Sequence, residues 1–452
     1  MTQQQYALQG LLNSPVYQAY AYSYPHKMAY RPFSDKVALR EIWQQEKLDA
    51  LYLYVHIPFC KIRCGFCNLF TLVKPDDSLP DLYLDALSRQ INALAPVIEQ
   101  AGFSHFSIGG GTPTYLDEKQ LERLFTLTSF PGITAATAKG IECSPETVTA
   151  GKIQLLEANN IRRISMGVQS FTELEVKNLA RRQNLDQVIN AIETIRSHSQ
   201  ADLNLDLIYG IPGQTVDSWL YSLAQAVSFQ PEELYLYPLY VRDDTGLGKV
   251  LNKQGTADTA AQTLDEHKLM LFRAGRDYLL ANGYQQISMR MFRRVGLPAH
   301  DQANYSCQRD GMLGLGAGAR SYTNSLHYSS EYAVDRHSIR DIISHYLAQS
   351  ETDFSFAHYG IRLDLEEKKR RFVIQSLLIA DGLNLADYHA RFHCDCLVEF
   401  PLLNTLLQAQ FAVRQGDVMQ LTPSGFERAD SIGPWFVSDK VKQAMAEYRT
   451  GC

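Results

Sequence analysis

Long apolar runs, an excess of cations and cysteine are all scarce in this 452-residue chain, and each shortage removes a class of function. No stretch of about 18 consecutive apolar residues occurs, so no membrane-spanning helix is expected. The first 30 residues, which include Tyr17, Tyr20, Tyr22, Tyr24 and Tyr30, lack the apolar core of a secretion signal, and a cytoplasmic protein is expected. Lys and Arg number 43 against 49 Asp and Glu, a net charge of −6, so there is no overall electrostatic footprint for nucleic acid or an anionic membrane. The eight cysteines are too few for a disulfide framework, yet three of them fall within eight positions. That clustering points to a metal or cluster site in a reducing compartment. What is plentiful is ordinary for a folded chain: 45% hydrophobic and 20% charged residues exclude disorder, and only the 25 tyrosines stand out.

From residue 51 to about 241, short β-rich apolar runs alternate with polar segments of helical period, the pattern of successive βα units. Strands are expected at 51–58, 103–110, 140–144, 163–169, 203–210 and 234–241, and helices at 81–100, 117–128, 145–159, 185–198 and 215–229. Six such units make a partly open, TIM-like α/β barrel, in which chemistry gathers at the strand C-terminal ends. Cys60, Gly110, Glu142, Gln169, Asp206 and Tyr240 all lie at or just past those ends. Residues 1–50 are expected to form a Tyr-rich arm of unclear regular structure across the barrel, which itself occupies 51–245. Residues 246–363 extend the barrel and carry the Gly-rich turn Leu313-Gly-Leu-Gly-Ala-Gly-Ala319 and a helix over 264–282. Residues 364–452 read as a small α+β, winged-helix-like module, with a strand pair around 411–421. The basic run from Met289 to Arg294 reads as a solvated charge run, with a carboxylate partner as the alternative.

The densest chemistry is Tyr54-Val-His-Ile-Pro-Phe-Cys60-Lys-Ile-Arg-Cys64-Gly-Phe-Cys67, a Cys-x3-Cys-x2-Cys run directly after an apolar strand. Thiolates are the usual ligands of iron–sulfur clusters, and three of them on a four-iron cube leave one iron open to a small molecule. Two other readings stand beside this one: a zinc site with His56 as fourth ligand, and inert core cysteines. Cys143, Cys307 and Cys452 have no comparable context, and Cys394 with Cys396 reads as ordinary thiols or as half of a metal site. Glycines in Gly109-Gly110-Gly111-Thr112-Pro113 would let backbone N–H groups approach a ligand headgroup. Gln169 and Asp206 are polar residues ending apolar runs, and such groups need partners from the protein or from a ligand.

Cys60, Cys64 and Cys67, with Phe66 just before the last thiol, resemble the signature of the radical S-adenosylmethionine (SAM) superfamily. In order and spacing, Tyr54 to Cys67, Gly109 to Pro113, Glu142 to Pro145, Ser165 to Phe171, Arg181 and Asp206 to Pro212 resemble the oxygen-independent coproporphyrinogen III oxidase-like (HemN/HemW-like) family. The resemblance implies a [4Fe-4S] cluster on the three thiols and one or two SAM molecules. It places Gly110, Gly111 and Thr112 at the amino-acid part of SAM, and Tyr54, Gly110 and Glu142 at a first SAM. Phe66, Gln169, Arg181, Asp206 and Tyr240 fall at a second, although the family residue differs at Tyr240. The implied chemistry is reductive cleavage of SAM to a 5′-deoxyadenosyl radical that abstracts hydrogen from an organic substrate related to tetrapyrroles, with a flavodoxin or ferredoxin as reducing partner.

The sequence departs from the oxidases in one place: their further Cys, two residues after the third ligand, is Leu69 here. Three readings follow from the resemblance. One is a radical SAM oxidoreductase resembling coproporphyrinogen III dehydrogenase, a second is a C-methyltransferase using two SAM molecules, and a third is a HemW-like haem chaperone. For haem, His26, His56 and His105 are the candidate axial ligands.

Overall fold

The computed structural model describes residues 3–18, 21, 23–241, 245–253, 260–298 and 310–450. Tyr20, Tyr22, Cys307 and Cys452 lie outside the described residues. At its centre six strands run parallel and neighbour one another in chain order: Leu51–Ile57, Phe103–Gly110, Ile133–Cys143, Arg163–Gln169, Asp202–Tyr209 and Glu233–Pro238. Apart from Ile133–Cys143, they are short and rich in buried apolar side chains. In the first, Leu51, Leu53, Val55 and Ile57 are fully buried while Tyr52 and Tyr54 between them face the other side and stay partly accessible, the period-2 pattern of a strand with two different faces.

The connecting helices cover the apolar face. Glu118–Leu127, Leu185–His198 and Val216–Ser228 each start on a capping box, with Asp117, Asn184 and Thr215 accepting from the third helical N–H. The segment expected as one helix over 81–100 is two, Leu79–Ala93 and Ala95–Ile98, parted at Leu94 where Pro96 removes a donor. Residues 145–159 likewise divide into a single 3-10 turn, Pro145–Thr147, and the helix Ala150–Ala158 capped by Thr149. The third strand begins seven residues before the expected 140, because Ile133↔Phe103 and Ala138↔His105 pair through the backbone around a register shift although the side chains there are mostly exposed.

Among the described residues the main sheet has thirteen strands, with the six parallel ones inside it. Met312–Leu315 adds a seventh parallel strand beside Leu51–Ile57, and antiparallel strands extend both flanks. One of these is Arg31–Ala38, paired with Phe356–Arg362, and a helix spans Gln3–Asn13, so the first 50 residues are more regular than their sequence suggests. That strand alternates exposed and half-buried residues and owes its place to edge pairing, which leaves little hydrophobic signature.

The C-terminal residues pack around their own core, in which Val373, Tyr388, Leu403, Leu406, Met419, Ile432 and Phe436 are fully buried, and the N-terminal Leu11, Tyr24 and Ala29 join it. A three-stranded sheet, Leu383–Asn384, Ala412–Gln415 and Val418–Leu421, sits among its helices. Among the polar ties that fix this part to the N-terminal arm and the barrel, two are deeply buried. Tyr24 donates to Glu367, which also accepts from Ser438 Oγ at 2.7 Å. Arg290 pairs with Asp430, both nearly inaccessible at 3% and 2% of the side chain. The solvated reading of Met289 to Arg294 is therefore corrected: Arg290 and Arg293 turn inward to protein carboxylates, Arg293 reaching Glu233 at 2.7 Å and Asp202 at 3.1 Å. Among the described residues no helix is long and apolar enough to cross a membrane.

A buried pair broken on one side leaves a charge with no water and no partner. Asp430→Ala should therefore destabilise the fold by about 3–5 kcal/mol, and the apolar double replacement Arg290→Met with Asp430→Leu should recover most of that loss. Urea denaturation of the three proteins checks this.

Candidate functional site

The thiol loop is built by the strand before it. Past Ile57 the chain turns at Pro58, Phe59–Cys60 pairs with Leu72–Val73, and Leu72 N and Lys74 N donate to the carbonyls of Pro58 and Cys60, closing residues 58–74 into a tied loop. Inside it Cys67 N donates to Cys64 O at 3.1 Å, and Gly65 N donates to Leu179 O at 2.9 Å, anchoring the loop to the segment after strand Arg163–Gln169. Thr112 Oγ1 lies 3.4 Å from Cys60 Sγ, and Arg181 Nη1 lies 3.3 Å from Cys64 Sγ.

The glycine loop lies directly beneath. Gly110 has φ +119°, in the left-handed range, and a Cβ there would stand 2.8 Å from the His56 ring. At Gly111 a Cβ would meet Phe59 O at 2.6 Å and Cys60 Sγ at 3.0 Å. Only glycine allows the two strand ends to close on each other. The expected free N–H groups are not found. Gly110 N donates to Glu142 Oε2 at 3.2 Å, Gly111 N to Ile57 O at 2.8 Å and Thr112 N to Phe59 O at 2.8 Å. This loop is held by its own donors, and what it can offer a ligand is carbonyl oxygen.

The bay these elements enclose measures about 170 Å³ and is lined by Cys60, Cys64, Phe66, Cys67, Gly111, Thr112, Glu142, Gln169, Arg181 and Asp206, among others. Ten of the thirteen residues expected at the site thus share one lining. Gly110 stands behind it, hydrogen-bonded to Glu142, and Tyr54 is one step down its strand with its hydroxyl 3.2 Å from His56 Nδ1. Tyr240 is placed elsewhere: its hydroxyl accepts from Arg290 at 2.9 Å, beside the Arg290–Asp430 pair. Gln169 ends its strand at φ +71°, a strained conformation for a residue with a Cβ, of the kind that collects at working sites. Arg181 ties the far wall together, donating to Gly167 O at 2.7 Å and Gln183 Oε1 at 2.8 Å.

The carboxyl groups of the bay are held toward their neutral forms by burial. Glu142 is enclosed by protein yet open to the bay, and desolvation, then the charge of Asp206, push its carboxyl up to about 7. Desolvation lifts Asp206 to about 6 although Asn204 and Arg163 favour its ionised form. Asn204 was not anticipated from sequence. Its Nδ2 donates to Ser165 Oγ at 2.7 Å and Asp206 Oδ1 at 2.8 Å, while its own Oδ1 is buried without a donor. The readable signal was the spacing of Asn204 and Asp206, two apart and so on one face of their strand. Burial holds the Cys60 thiol up to about 12 and raises Cys64, the latter eased by Arg181. Such thiols need a metal to ionise them.

Among the described residues no three His, Cys, Asp or Glu are grouped as ligands of a single metal ion. His56 does not present a free nitrogen to the thiols in this arrangement: it is buried, with one ring nitrogen facing Phe70 O at 3.0 Å and the other Tyr54 Oη at 3.2 Å. The other histidines considered for haem are also engaged, His105 stacked on Tyr52 at 5.4 Å and His26 accepting from Met28 N. Among the described residues Cys394 and Cys396 gather no third ligand. A larger cleft of about 750 Å³, bounded by Phe33, Tyr328, Tyr346 and Phe356, holds no thiol.

Comparison with known proteins agrees with this geometry. Residues 54–225 match the model of the radical SAM superfamily. The chain is 29% identical to the oxygen-independent coproporphyrinogen III oxidase of Escherichia coli over 82% of each chain. It is 27% identical to the heme chaperone HemW of Bacillus subtilis over 73% of this chain and 88% of that one. The solved structure of HemN from Escherichia coli, described as a radical SAM enzyme, superposes with a TM-score of 0.77 at 25% identity, covering 93% of this chain and 97% of that one. The chain carries a radical SAM domain, and its mixed α/β architecture with a large parallel sheet is that of the HemN fold. Radical SAM proteins bind a [4Fe-4S] cluster and SAM.

Removing the guanidinium beside Cys64 should leave that thiol harder to ionise. Arg181→Met is expected to slow alkylation of Cys64 in the metal-free protein at pH 8 severalfold relative to the unaltered chain, as followed by mass spectrometry of the modified peptide.

Proposed function

We propose that this chain is a radical SAM oxidoreductase similar to the coproporphyrinogen III oxidases. In this reading Cys60, Cys64 and Cys67 hold a [4Fe-4S] cluster, SAM lies against Gly110, Gly111, Thr112 and Glu142, and the substrate is an organic molecule related to tetrapyrroles. The observation that carries this reading is the convergence of three thiols and two cation-seeking carboxyl groups on one small bay. When bound, the cluster and SAM supply one-electron reductive cleavage and a carbon radical that removes hydrogen from substrate.

The protein's share is binding, orientation and exclusion of water. Glu142 and Asp206 receive the positive groups of SAM, its ammonium and sulfonium, and a cation there removes the cost of keeping two carboxylates together. Arg181, in the lining of the bay, is the cation for the carboxylate of SAM. Gln169, Phe66 and Tyr54 complete the surround. Tyr240, bound to Arg290, acts on the side of the barrel where the C-terminal residues close it. The setting is the cytoplasm, and a flavodoxin or ferredoxin delivers the electron.

A second reading, haem trafficking, is favoured by Leu69, which is 47% exposed at the bay where the oxidases have a further cysteine, and by the HemW relative. The two part on turnover. With iron and sulfide reconstituted anaerobically and dithionite and SAM added, 5′-deoxyadenosine should accumulate and should vanish in the Cys60→Ala, Cys64→Ala, Cys67→Ala triple variant. S-adenosylhomocysteine appearing alongside it with substrate extract would shift the assignment to methyl transfer. A fully loaded cluster that cleaves no SAM, even with candidate substrates, would overturn the oxidoreductase reading.

The raised carboxyl gives a second test. A cation beside Glu142 lowers its value from about 7, so SAM binding between pH 6 and 7 releases protons, tightens as pH rises through about 7 and levels off above it. Calorimetry in buffers of different ionisation enthalpy should detect the release, and Glu142→Gln should reduce it, leaving the smaller share from Asp206 at lower pH.

A further inference from the structure

Two of the three thiols have a side chain placed to donate to their sulfur. Thr112 Oγ1 lies 3.4 Å from Cys60 Sγ, and Arg181 Nη1 donates to Cys64 Sγ at 3.3 Å. A metal-bound Cys60 thiolate has no proton of its own, so the threonine hydroxyl is then the donor of that pair. Among the described residues Cys67 Sγ has no such partner, and the loop's own Arg63 turns to the backbone carbonyls of Cys67 and Val334 instead. The sulfurs of the loop are therefore not equivalent.

Arg181 is held in place for this contact. Its Nε donates to Gln183 Oε1 at 2.8 Å and its Nη2 to Gly167 O at 2.7 Å, so all three guanidinium nitrogens are engaged and the planar group has one orientation. Gln183 in turn donates to Val168 O at 2.9 Å, which ties the pair to the end of strand Arg163–Gln169. A Cβ on Gly167 would lie 2.8 Å from Gln169 Nε2 and 3.8 Å from Arg181 Nη2, so the glycine leaves the room that both side chains use. The thiol loop is fastened to the same segment, since Gly65 N donates to Leu179 O at 2.9 Å. Thr112 is fixed beside its own cysteine by its backbone N–H, which donates to Phe59 O at 2.8 Å. Glu142, Glu146, Arg182 and Asp206 also line the bay, but among the described residues none of them is hydrogen-bonded to a thiol.

We infer that Arg181 and Thr112 set the reduction potential of the cluster, Arg181 through Cys64 and Thr112 through Cys60. The inference rests on the proposed [4Fe-4S] cluster at Cys60, Cys64 and Cys67. A donor on a thiolate sulfur draws electron density away from the iron, and a fixed positive charge favours the form that holds the extra electron, so both contacts raise the potential and ease reduction by one electron. The charge-assisted bond from the guanidinium is roughly twice as strong as one from a neutral hydroxyl, so Arg181 has the larger share. Cys67, without a donor, keeps the most electron-rich sulfur. Neither residue touches iron, and in this role both are positioning residues. Arg181 has N–H groups beyond the three used here, so the contact to Cys64 is compatible with its place against a carboxylate.

The test is an anaerobic redox titration of the reconstituted holoprotein with dithionite and mediator dyes, without SAM, in which the reduced cluster is read by electron paramagnetic resonance. Arg181→Met should make the midpoint more negative, so that the reduced-to-oxidised ratio at a fixed potential falls about tenfold, which for a one-electron couple is about 59 mV. Thr112→Val should lower the same ratio about threefold, half the effect on a logarithmic scale. Thr112→Ser keeps the hydroxyl, and Arg182→Met removes an equal charge one residue away from the contact; both should stay within about twofold of the unaltered protein. Midpoints unmoved in Arg181→Met and Thr112→Val, or a fall in Arg182→Met equal to that in Arg181→Met, would overturn the inference. If Arg181→Met takes up no cluster, Thr112→Val decides, and a midpoint equal to that of Thr112→Ser would overturn it. Shifted midpoints in a protein that cleaves no SAM would sustain the inference while refuting the oxidoreductase reading, and an unaltered chain that takes up no four-iron cluster would refute both.

Discussion

Parallel pairing between Leu51–Ile57 and Phe103–Gly110 is the interaction on which the site depends. The register runs from Tyr52↔His105 to Ile57↔Gly110, and it continues past the strand ends through Gly111 N to Ile57 O and Thr112 N to Phe59 O. Those last two bonds bring the thiol loop and the glycine loop into contact, at a separation that admits no side chain on Gly111. A slip of one residue would turn Tyr52 and Tyr54 into the helices and Leu53 and Val55 into the interior, so the hydrophobic alternation fixes the register and the register fixes the site. The next strands continue the arrangement, each delivering one polar group at its end: Glu142, Gln169 and Asp206.

The interior of this sheet is costly to assemble and is balanced by paired charges. Arg163 donates to Glu233 at 2.7 Å, Glu233 also accepts from Arg293, and Arg293 reaches Asp202. These pairs satisfy one another at the end of the strands remote from the thiols. Near the thiols the balance is incomplete: desolvation raises Glu142 and Asp206 although Arg163 acts against it at both, and Asn204 Oδ1 has no donor among the described residues. The two raised carboxyl groups share their bay with the three thiols, and burial is the larger cause of both shifts.

Much of this was legible in sequence, for a specific reason. Central parallel strands are covered on both faces and carry near-continuous apolar runs, so 103–110 and 163–169 are the same in sequence and structure, and Cys60, Gly111, Glu142, Gln169 and Asp206 fall together because strand ends converge. What escaped lacked that signature. Arg31–Ala38 is an edge strand with exposed side chains, and Ile133–Thr137 is held by backbone bonds. Arg290 and Arg293 read as surface charge because their partners, Asp430, Glu233 and Asp202, are far away in the chain. The donors of the glycine loop were expected to face a ligand, but neighbouring strands consume them, a fact of register that composition does not carry.

The central claim is that three thiols leave one iron open and that SAM closes it. Mössbauer spectroscopy of the iron-57 reconstituted protein, with and without SAM, tests this most directly. The account predicts one iron in four whose isomer shift and quadrupole splitting move when SAM is added, while the other three stay unchanged. Four equivalent irons that ignore SAM, or a protein that binds only a single metal ion, would contradict it.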